Sequence, residues 1–128
     1  METLKHPDNL VLKQFVMPDE LNYNGTLFGG QLLSWIDQAG AVVAISRSSS
    51  KVALLKMNEV LFKKPIMPSD SVTIYGKVTS VGRTSMEVTM EIWRTNIFDD
   101  NEEILAATAS GTYVAIDENL KPQRVDRK

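Results

Sequence analysis

Asp37 is the clearest candidate for chemistry in this sequence. It lies inside a long apolar run, with Leu33 and Ala41 one helical turn away on either side and the small residues Ser34 and Gly40 three positions away. It lies too far into the predicted helix to cap its start, so the pattern predicts a buried carboxylate. Two interpretations stay open: Asp37 hydrogen-bonds a facing strand or partner subunit, or it serves a ligand in the space that the small residues leave.

Two glycines, Gly29 and Gly30, stand where this helix is predicted to begin. Backbone N–H groups at a helix start can stabilise a carbonyl oxygen that becomes negative during acyl transfer. At a rise of ~1.5 Å per residue, Asp37 lies roughly 10 Å along the axis from Gly30. We therefore expect the site at a dimer interface, where Asn22 or Gly30 of one chain faces Asp37 of the other.

The loop before the helix carries Asn22 and Asn24 beside Gly25. Asparagine in such a loop usually serves turn geometry, but its amide can also orient a water or a carbonyl. The glycines of this region match neither a P-loop, which needs a following Lys-Ser/Thr, nor the dinucleotide fingerprint, which needs a strand leading into it. Nucleotide hydrolysis is therefore not supported.

A set of basic and hydroxyl residues falls at predicted strand ends and loops. Taken singly, such cations are usually solvated charges, but together they could bind phosphate. The hydroxyl and backbone donors that follow a glycine would also suit a pantetheine amide. The set comprises Lys51, Lys63, Lys64, Gly82, Arg83, Thr84 and Ser85.

Composition excludes several classes of protein. The 128 residues include no cysteine, which excludes disulfides, thiolate nucleophiles, zinc ribbons and iron–sulfur ligation. The one histidine cannot by itself supply a His-based metal site. A Ser–His–Asp triad would need His6, which stands in a polar amino-terminal segment. The net charge of −2 disfavours nucleic acid and anionic membranes as partners. No apolar run approaches the ~18 residues of a membrane span, and the first nine residues are polar, so we expect a cytoplasmic protein. From the cysteine and histidine counts we also expect that the protein uses no metal.

The elements that must position these residues follow from the hydrophobic pattern. A helix is predicted over residues 31–47, apolar on nearly all sides and therefore expected to be enclosed. An acidic link is expected from Phe98 to Glu103. The order indicates an α+β domain spanning residues 1–128, with a core of about residues 10–118, polar tails, and a five-stranded antiparallel sheet around one long central helix. Its edge strands would be unprotected, which favours pairing of two copies. The strands are predicted at residues 10–16, 52–62, 72–79, 86–92 and 104–116.

The stretch from Asn22 to Asp37 resembles the signature of the hotdog-fold acyl-CoA thioesterases, in their acyl-CoA hydrolase branch. The resemblance continues through residues 62–65, residues 81–93 and the final strand, and so covers about residues 10–118. It implies the hotdog fold, in which two subunits join their sheets and dimers assemble into trimers of dimers or tetramers. It also implies an acyl-CoA substrate and no metal or covalent cofactor.

The same resemblance implies roles for single residues. Asp37 would be the catalytic carboxylate, acting as a general base on water or as a nucleophile on the thioester carbonyl. Asn22 would orient the carbonyl or water from the opposite subunit, and Gly30, with its neighbour Gly29, would polarise the carbonyl. The turn at residues 82–85 would contact coenzyme A. Two positions depart from the pattern, Tyr23 and Asn58, and they put the chain-length preference in question.

The sequence therefore predicts an acyl-CoA thioesterase that releases a free carboxylic acid and coenzyme A. A thiolate is a good leaving group, so a carboxylate and a helix-end oxyanion site can suffice without histidine. The alternative is a non-catalytic acyl-CoA-binding module in which Asp37 is structural. The predicted catalytic residues are Asp37, Asn22 and Gly30, and the predicted substrate-binding residues are Asn24, Gly29, Lys63, Lys64, Gly82, Arg83, Thr84 and Ser85.

Overall fold

The computed structural model of this chain describes residues 3–96, 98 and 102–127. It contains the predicted helix and all five predicted strands, with β3 and β4 longer than the pattern indicates. Residues 99–101 of the predicted acidic link lie outside the described residues. The elements are β1 (Leu10–Phe15), α1 (Gly29–Ser48), β2 (Lys51–Phe62), β3 (Asp70–Val81), β4 (Ser85–Asn96) and β5 (Glu103–Ile116), with short 3₁₀ turns at Pro7–Asn9 and Pro18–Glu20.

The five strands form one antiparallel sheet in the order β1-β3-β4-β5-β2. Two long hairpins build its centre, because β3 pairs with β4 and β4 pairs with β5 along nearly their whole lengths. The helix α1 contacts all five strands, so the sheet curves around it. The prediction of an α+β domain with one sheet around one helix is therefore confirmed.

Side-chain size along β4 and β5 decides where the helix lies. The inward residues of β4 are large and fully buried: Met86, Val88, Met90 and Ile92. The inward positions of β5 are small, and they leave room for the helix to pack closely. The small inward residues are Ala107, Ala109, Gly111 and Ala115. The fifth inward residue of β5, Tyr113, is the one large side chain on this face.

One face of α1 is open to solvent in the single chain, so the expectation of an enclosed helix is wrong for one copy. The sheet covers the side that carries Trp35, Ile36 and Ala39. On the other side Val42 is 52% exposed and Ile45 is 46% exposed. A five-stranded sheet can cover only one side of a helix, so an apolar pattern on all sides requires a second cover.

The last residues of the chain fold back against the end of α1 and the turn between β3 and β4. The backbone N–H of Val125, a buried residue, donates to the Arg83 carbonyl at 2.9 Å. The Arg127 guanidinium donates to the Ser48 carbonyl at 2.8 Å, where the helix ends. These contacts hold the turn at residues 82–85 near the carboxyl end of the helix.

Candidate functional site

Asp37 lies on the open face of α1 and is exposed in the single chain. The prediction of a buried carboxylate is therefore wrong for one copy, because the sheet covers the opposite side of the helix. One of its carboxylate oxygens, Oδ1, accepts a hydrogen bond from the Tyr113 hydroxyl at 3.1 Å. The same hydroxyl lies 3.1 Å from the backbone carbonyl oxygen of Asp37. A facing strand thus holds the carboxylate, as one of the two interpretations predicts.

Tyr113, on β5, joins this exposed carboxylate to the core. Its side chain is fully buried, and burial raises its pKa well above the ordinary tyrosine value. The negative charge of Asp37 and the hydrogen bond to it raise the pKa further. The hydroxyl therefore stays protonated, and it remains a donor at any pH near neutrality.

Gly40 accommodates the Tyr113 ring. A Cβ atom at this position would overlap the tyrosine hydroxyl and the ring atoms beside it. The space that the small residues around Asp37 leave is thus partly filled by Tyr113. Tyr113 is not among the residues predicted from the sequence, although it is the one large residue on the otherwise small inward face of β5.

The Asn22 side chain closes the loop that precedes α1. Its Oδ1 accepts from the backbone N–H of Asn24 at 2.8 Å and from that of Thr26 at 3.2 Å. Its Nδ2 donates to the Thr26 hydroxyl at 3.0 Å. Gly25 takes the positive φ of 78° that this tight loop needs. The turn-forming interpretation of Asn22 is therefore supported, and Asn24 contributes through its backbone, with an exposed side chain.

The start of α1 presents two glycine amides. Phe28 stands just before the helix in an extended conformation, and Gly29 and Gly30 are its first two residues. Among the hydrogen bonds of the described residues, neither glycine N–H has an acceptor. The Phe28 ring lies over Gly30, so a Cβ atom there would overlap it. The predicted pair of donors is therefore at the helix start, with an aromatic ring beside it.

A cleft of about 390 Å³ lies at this end of the helix. It is bounded by the Asn22 loop, the start of α1 and the segment that follows β2. The loop and this segment are held together by a hydrogen bond from the Leu27 N–H to the Ile66 carbonyl at 2.8 Å. The cleft is lined by Asn22, Thr26, Leu27, Gly29, Leu32, Phe62, Lys63, Lys64, Pro65 and Ile66.

This cleft brings together four of the residues that the sequence analysis selected: Asn22, Gly29, Lys63 and Lys64. Both lysines are exposed, and their backbone N–H groups donate to the Ala106 carbonyl of β5 at 2.8 and 3.1 Å. The backbone of this pair is therefore tied to the sheet. Asp37 does not line the cleft.

The turn at residues 82–85 lies at the other end of the helix. Its Thr84 carbonyl accepts from the N–H of Ala115 at 2.8 Å, near the end of β5. Lys51, at the start of β2, pairs with Ile116 at this same end. Since α1 has 20 residues, the two ends are roughly 30 Å apart. One chain therefore splits the expected phosphate-binding set, with Lys63 and Lys64 at one end and Lys51 and residues 82–85 at the other.

The two positions that depart from the family pattern lie outside the cleft lining. Tyr23 is 97% exposed at the tip of the Asn22 loop. Asn58 lies on β2, where its Nδ2 donates to the Thr112 hydroxyl of β5 at 2.9 Å. Neither side chain therefore shapes the cleft of its own chain.

The described residues include neither a grouped set of metal ligands nor a membrane-spanning helix. Within residues 3–96, 98 and 102–127, no three His, Asp or Glu side chains are grouped so that they could hold a metal ion. In the same part of the chain, no helix has both the length and the apolarity to cross a membrane.

Comparison with known proteins gives consistent matches over most of the chain. Residues 24–97 match the model of the thioesterase superfamily. The acyl-CoA thioester hydrolase YciA of Escherichia coli is 31% identical over 117 residues, which are 90% of this chain and 89% of that protein.

Solved structures of acyl-CoA thioesterases also superpose on this chain. An alanine variant of a hexameric broad-specificity acyl-coenzyme A thioesterase superposes with a TM-score of 0.89 at 30% identity, covering 93% of this chain and 87% of the other. An acyl-CoA hydrolase of Staphylococcus aureus, solved with butyryl coenzyme A and coenzyme A, gives a TM-score of 0.83 at 33% identity, covering 88% and 68%. With its five-stranded sheet around one helix and these matches, the chain belongs to the thioesterase superfamily and has the hotdog fold.

Proposed function

We propose that this protein hydrolyses acyl-CoA thioesters to a free carboxylic acid and coenzyme A. The observation that carries the proposal is the cleft, which combines two lysines, an asparagine, a helix-start glycine and apolar walls. Lysine ammonium groups suit the phosphates of coenzyme A, and the apolar walls suit an acyl chain. The relatives and solved neighbours named above, all acyl-CoA thioesterases, support this assignment.

The proposed active site combines two copies of the chain. Asp37 and the cleft lie apart in one copy, and both face solvent. The open face of α1 and the free edge strand β2 offer apolar surface for a second copy, including Val42, Leu55 and Phe62. Pairing through these surfaces would place Asp37 of one copy against the cleft of the other. Hexameric neighbours support assembly of such dimers into trimers of dimers.

The proposed reaction needs only groups that the chain supplies. The Asp37 carboxylate takes a proton from water, the hydroxide adds to the thioester carbonyl carbon, and the helix-start N–H groups stabilise the oxyanion. The carbon–sulfur bond then breaks, the proton held by Asp37 passes to the leaving sulfur, and coenzyme A is released with the carboxylate restored. In the alternative, Asp37 adds directly and water hydrolyses the mixed anhydride. No metal or cofactor takes part, and the coenzyme A substrate class supports a cytoplasmic location.

Isotope labelling tests for the nucleophilic route. In a single turnover in H₂¹⁸O, water attack on the thioester puts the label in the released acid. Direct attack by Asp37, followed by water attack on the aspartyl carbon, puts the label in the Asp37 carboxylate. Mass spectrometry of the acid and of the peptide that carries Asp37 therefore identifies a nucleophile when the peptide is labelled. Label in the acid alone fits a general base, or water attack on the acyl carbon of the mixed anhydride.

The function is tested by release of free thiol from short-, medium- and long-chain acyl-CoAs. The protein contributes no background, because it has no cysteine. We expect turnover by the wild type and loss of turnover in folded Asp37→Ala and Asp37→Asn variants. Asp8→Asn, which alters an exposed carboxylate elsewhere in the chain, is the control and should leave turnover unchanged. Binding of acyl-CoA with no turnover of any substrate would refute the proposal and favour the non-catalytic binding module.

A further inference from the structure

We propose that Tyr113 is a positioning residue for Asp37: its hydroxyl holds the carboxylate in one orientation on the open face of α1. This inference rests on the proposed role of Asp37 in thioester hydrolysis. It assigns Tyr113 no contact with substrate, since the residue is fully buried and does not line the cleft.

The Tyr113 side chain is held in place by close packing. Its ring lies against two glycines that leave no spare space, Gly40 on the helix and Gly111 on its own strand. A Cβ atom at Gly40 would overlap the ring, and one at Gly111 would lie 3.3 Å from ring atom Cε1. A buried side chain in so close a fit keeps a single rotamer, so its hydroxyl is a fixed donor.

Within the part of the chain that the structure describes, Tyr113 is the one side chain that restrains Asp37. Asp37 is exposed, and among the described residues its only side-chain hydrogen bond is the one from Tyr113. An exposed aspartate samples several staggered χ1 rotamers. The tyrosine hydroxyl, which also lies 3.1 Å from the Asp37 backbone carbonyl oxygen, selects one of them by holding Oδ1 at 3.1 Å.

The fixed orientation of Asp37 should affect the rate of the reaction and not the binding of the substrate. A carboxylate that is already oriented pays no orientation cost when water or the thioester arrives. The groups proposed to bind the substrate lie elsewhere, in the cleft. Removing the Tyr113 hydroxyl should therefore lower kcat and leave KM nearly unchanged, which is the signature of an interaction that serves the transition state.

The test is steady-state kinetics of wild type and Tyr113→Phe, which keeps the ring and removes only the hydroxyl. Tyr75→Phe is the matched control, because Tyr75 is also a buried tyrosine but lies on the other face of the sheet. We expect kcat to fall about tenfold in Tyr113→Phe with KM changed less than about twofold, and no change in Tyr75→Phe. Unchanged kcat in Tyr113→Phe, or equal losses in both variants, would overturn the inference.

Two further measurements keep this test separate from that of the proposed function. In substrate-free protein, Hα–Hβ coupling constants of Asp37 should report one χ1 rotamer in wild type and averaging in Tyr113→Phe, whether or not the protein turns over acyl-CoA. A single rotamer in both would overturn the inference. In an Asp37→Asn background, Tyr113→Phe should change the residual rate by less than about twofold, because the hydroxyl acts only through Asp37. If Tyr113→Phe lowered the residual rate of Asp37→Asn as much as it lowers the rate of the wild type, the inference would also be overturned.

Discussion

The hydroxyl of Tyr113 lies 3.1 Å from the carboxylate of Asp37, so a fully buried strand residue holds a side chain on the open face of the helix. The contact joins β5 to α1. Gly40 makes it possible, because a side chain at this position would overlap the Tyr113 ring. The exposed carboxylate is thereby tied to the hydrophobic core.

Gly40→Ala should destabilise the fold, although alanine is favoured over glycine in a helix by about 1 kcal/mol. The added Cβ overlaps the Tyr113 ring, and overpacking of this kind typically costs about 1–3 kcal/mol. Urea denaturation measures the change. The double variant with Tyr113→Val should lose less stability than the two single substitutions together, since the smaller side chain clears the space. Simple additivity of the two substitutions would contradict the close fit.

Wild type should lose stability more steeply than Tyr113→Phe as the pH rises above about 10. The pKa of Tyr113 is raised by burial and by Asp37, so the native state keeps a proton that the unfolded chain releases. The unfolded state is therefore increasingly favoured, by up to about 1.4 kcal/mol per pH unit. Urea denaturation of both proteins from pH 8 to 12 measures the difference, in which the contribution of Tyr75 cancels. If the free energy of unfolding of the two proteins fell in parallel with pH, the raised pKa of Tyr113 would be contradicted.

Arg94→Met should destabilise the protein by about 3–5 kcal/mol, because it leaves a charge buried without its partner. Asp70 is fully buried, and its Oδ2 accepts from the Arg94 Nε at 2.7 Å and from the Met67 N–H at 2.8 Å. The double substitution Asp70→Asn with Arg94→Met should cost less than Arg94→Met alone. Denaturation curves of the three proteins check this, and a larger loss in the double variant would refute the argument.

Ile45→Asp should weaken self-association and lower activity, although Ile45 does not line the cleft of its own chain. The substitution places a charge on the open face of α1, where the proposed dimer would desolvate it. Sedimentation velocity at micromolar concentration measures the association. Leu120→Asn, at an exposed turn residue with positive φ, is the control and should change neither property. Full activity of a monomeric Ile45→Asp protein would exclude the two-copy site.

The double variant Lys63→Gln with Lys64→Gln should raise KM for acyl-CoA at least about fivefold and weaken its dependence on salt, because two phosphate-binding cations are lost. A thioester of N-acetylcysteamine carries no phosphate, so its KM should not change. Lys13→Gln, on the edge strand β1, removes an equivalent exposed charge away from the cleft and serves as control. Equal effects on both substrates would show that the lysines do not bind phosphate.

The open face of α1 shows where local patterns stop being informative. Leu33, Val42 and Ile45 look the same in sequence as the buried Ile36, so periodicity predicted enclosure on all sides. Which of them the sheet covers depends on contacts between residues far apart in the chain. The same holds for Asp37, whose exposure in one copy no spacing rule could reveal.

The sequence by itself determined the elements, the antiparallel sheet, the family signature and the selection of Asp37, Asn22 and the helix-start glycines. It did so because alternation, helical periodicity and turn residues are properties of neighbours in the chain. Only the tertiary structure decided that Asn22, Gly29 and the lysine pair share a cleft, that residues 82–85 lie at the far end of α1, and that Tyr113 holds Asp37. Those relationships join residues as many as 76 positions apart, and they exist only after the sheet has closed around the helix.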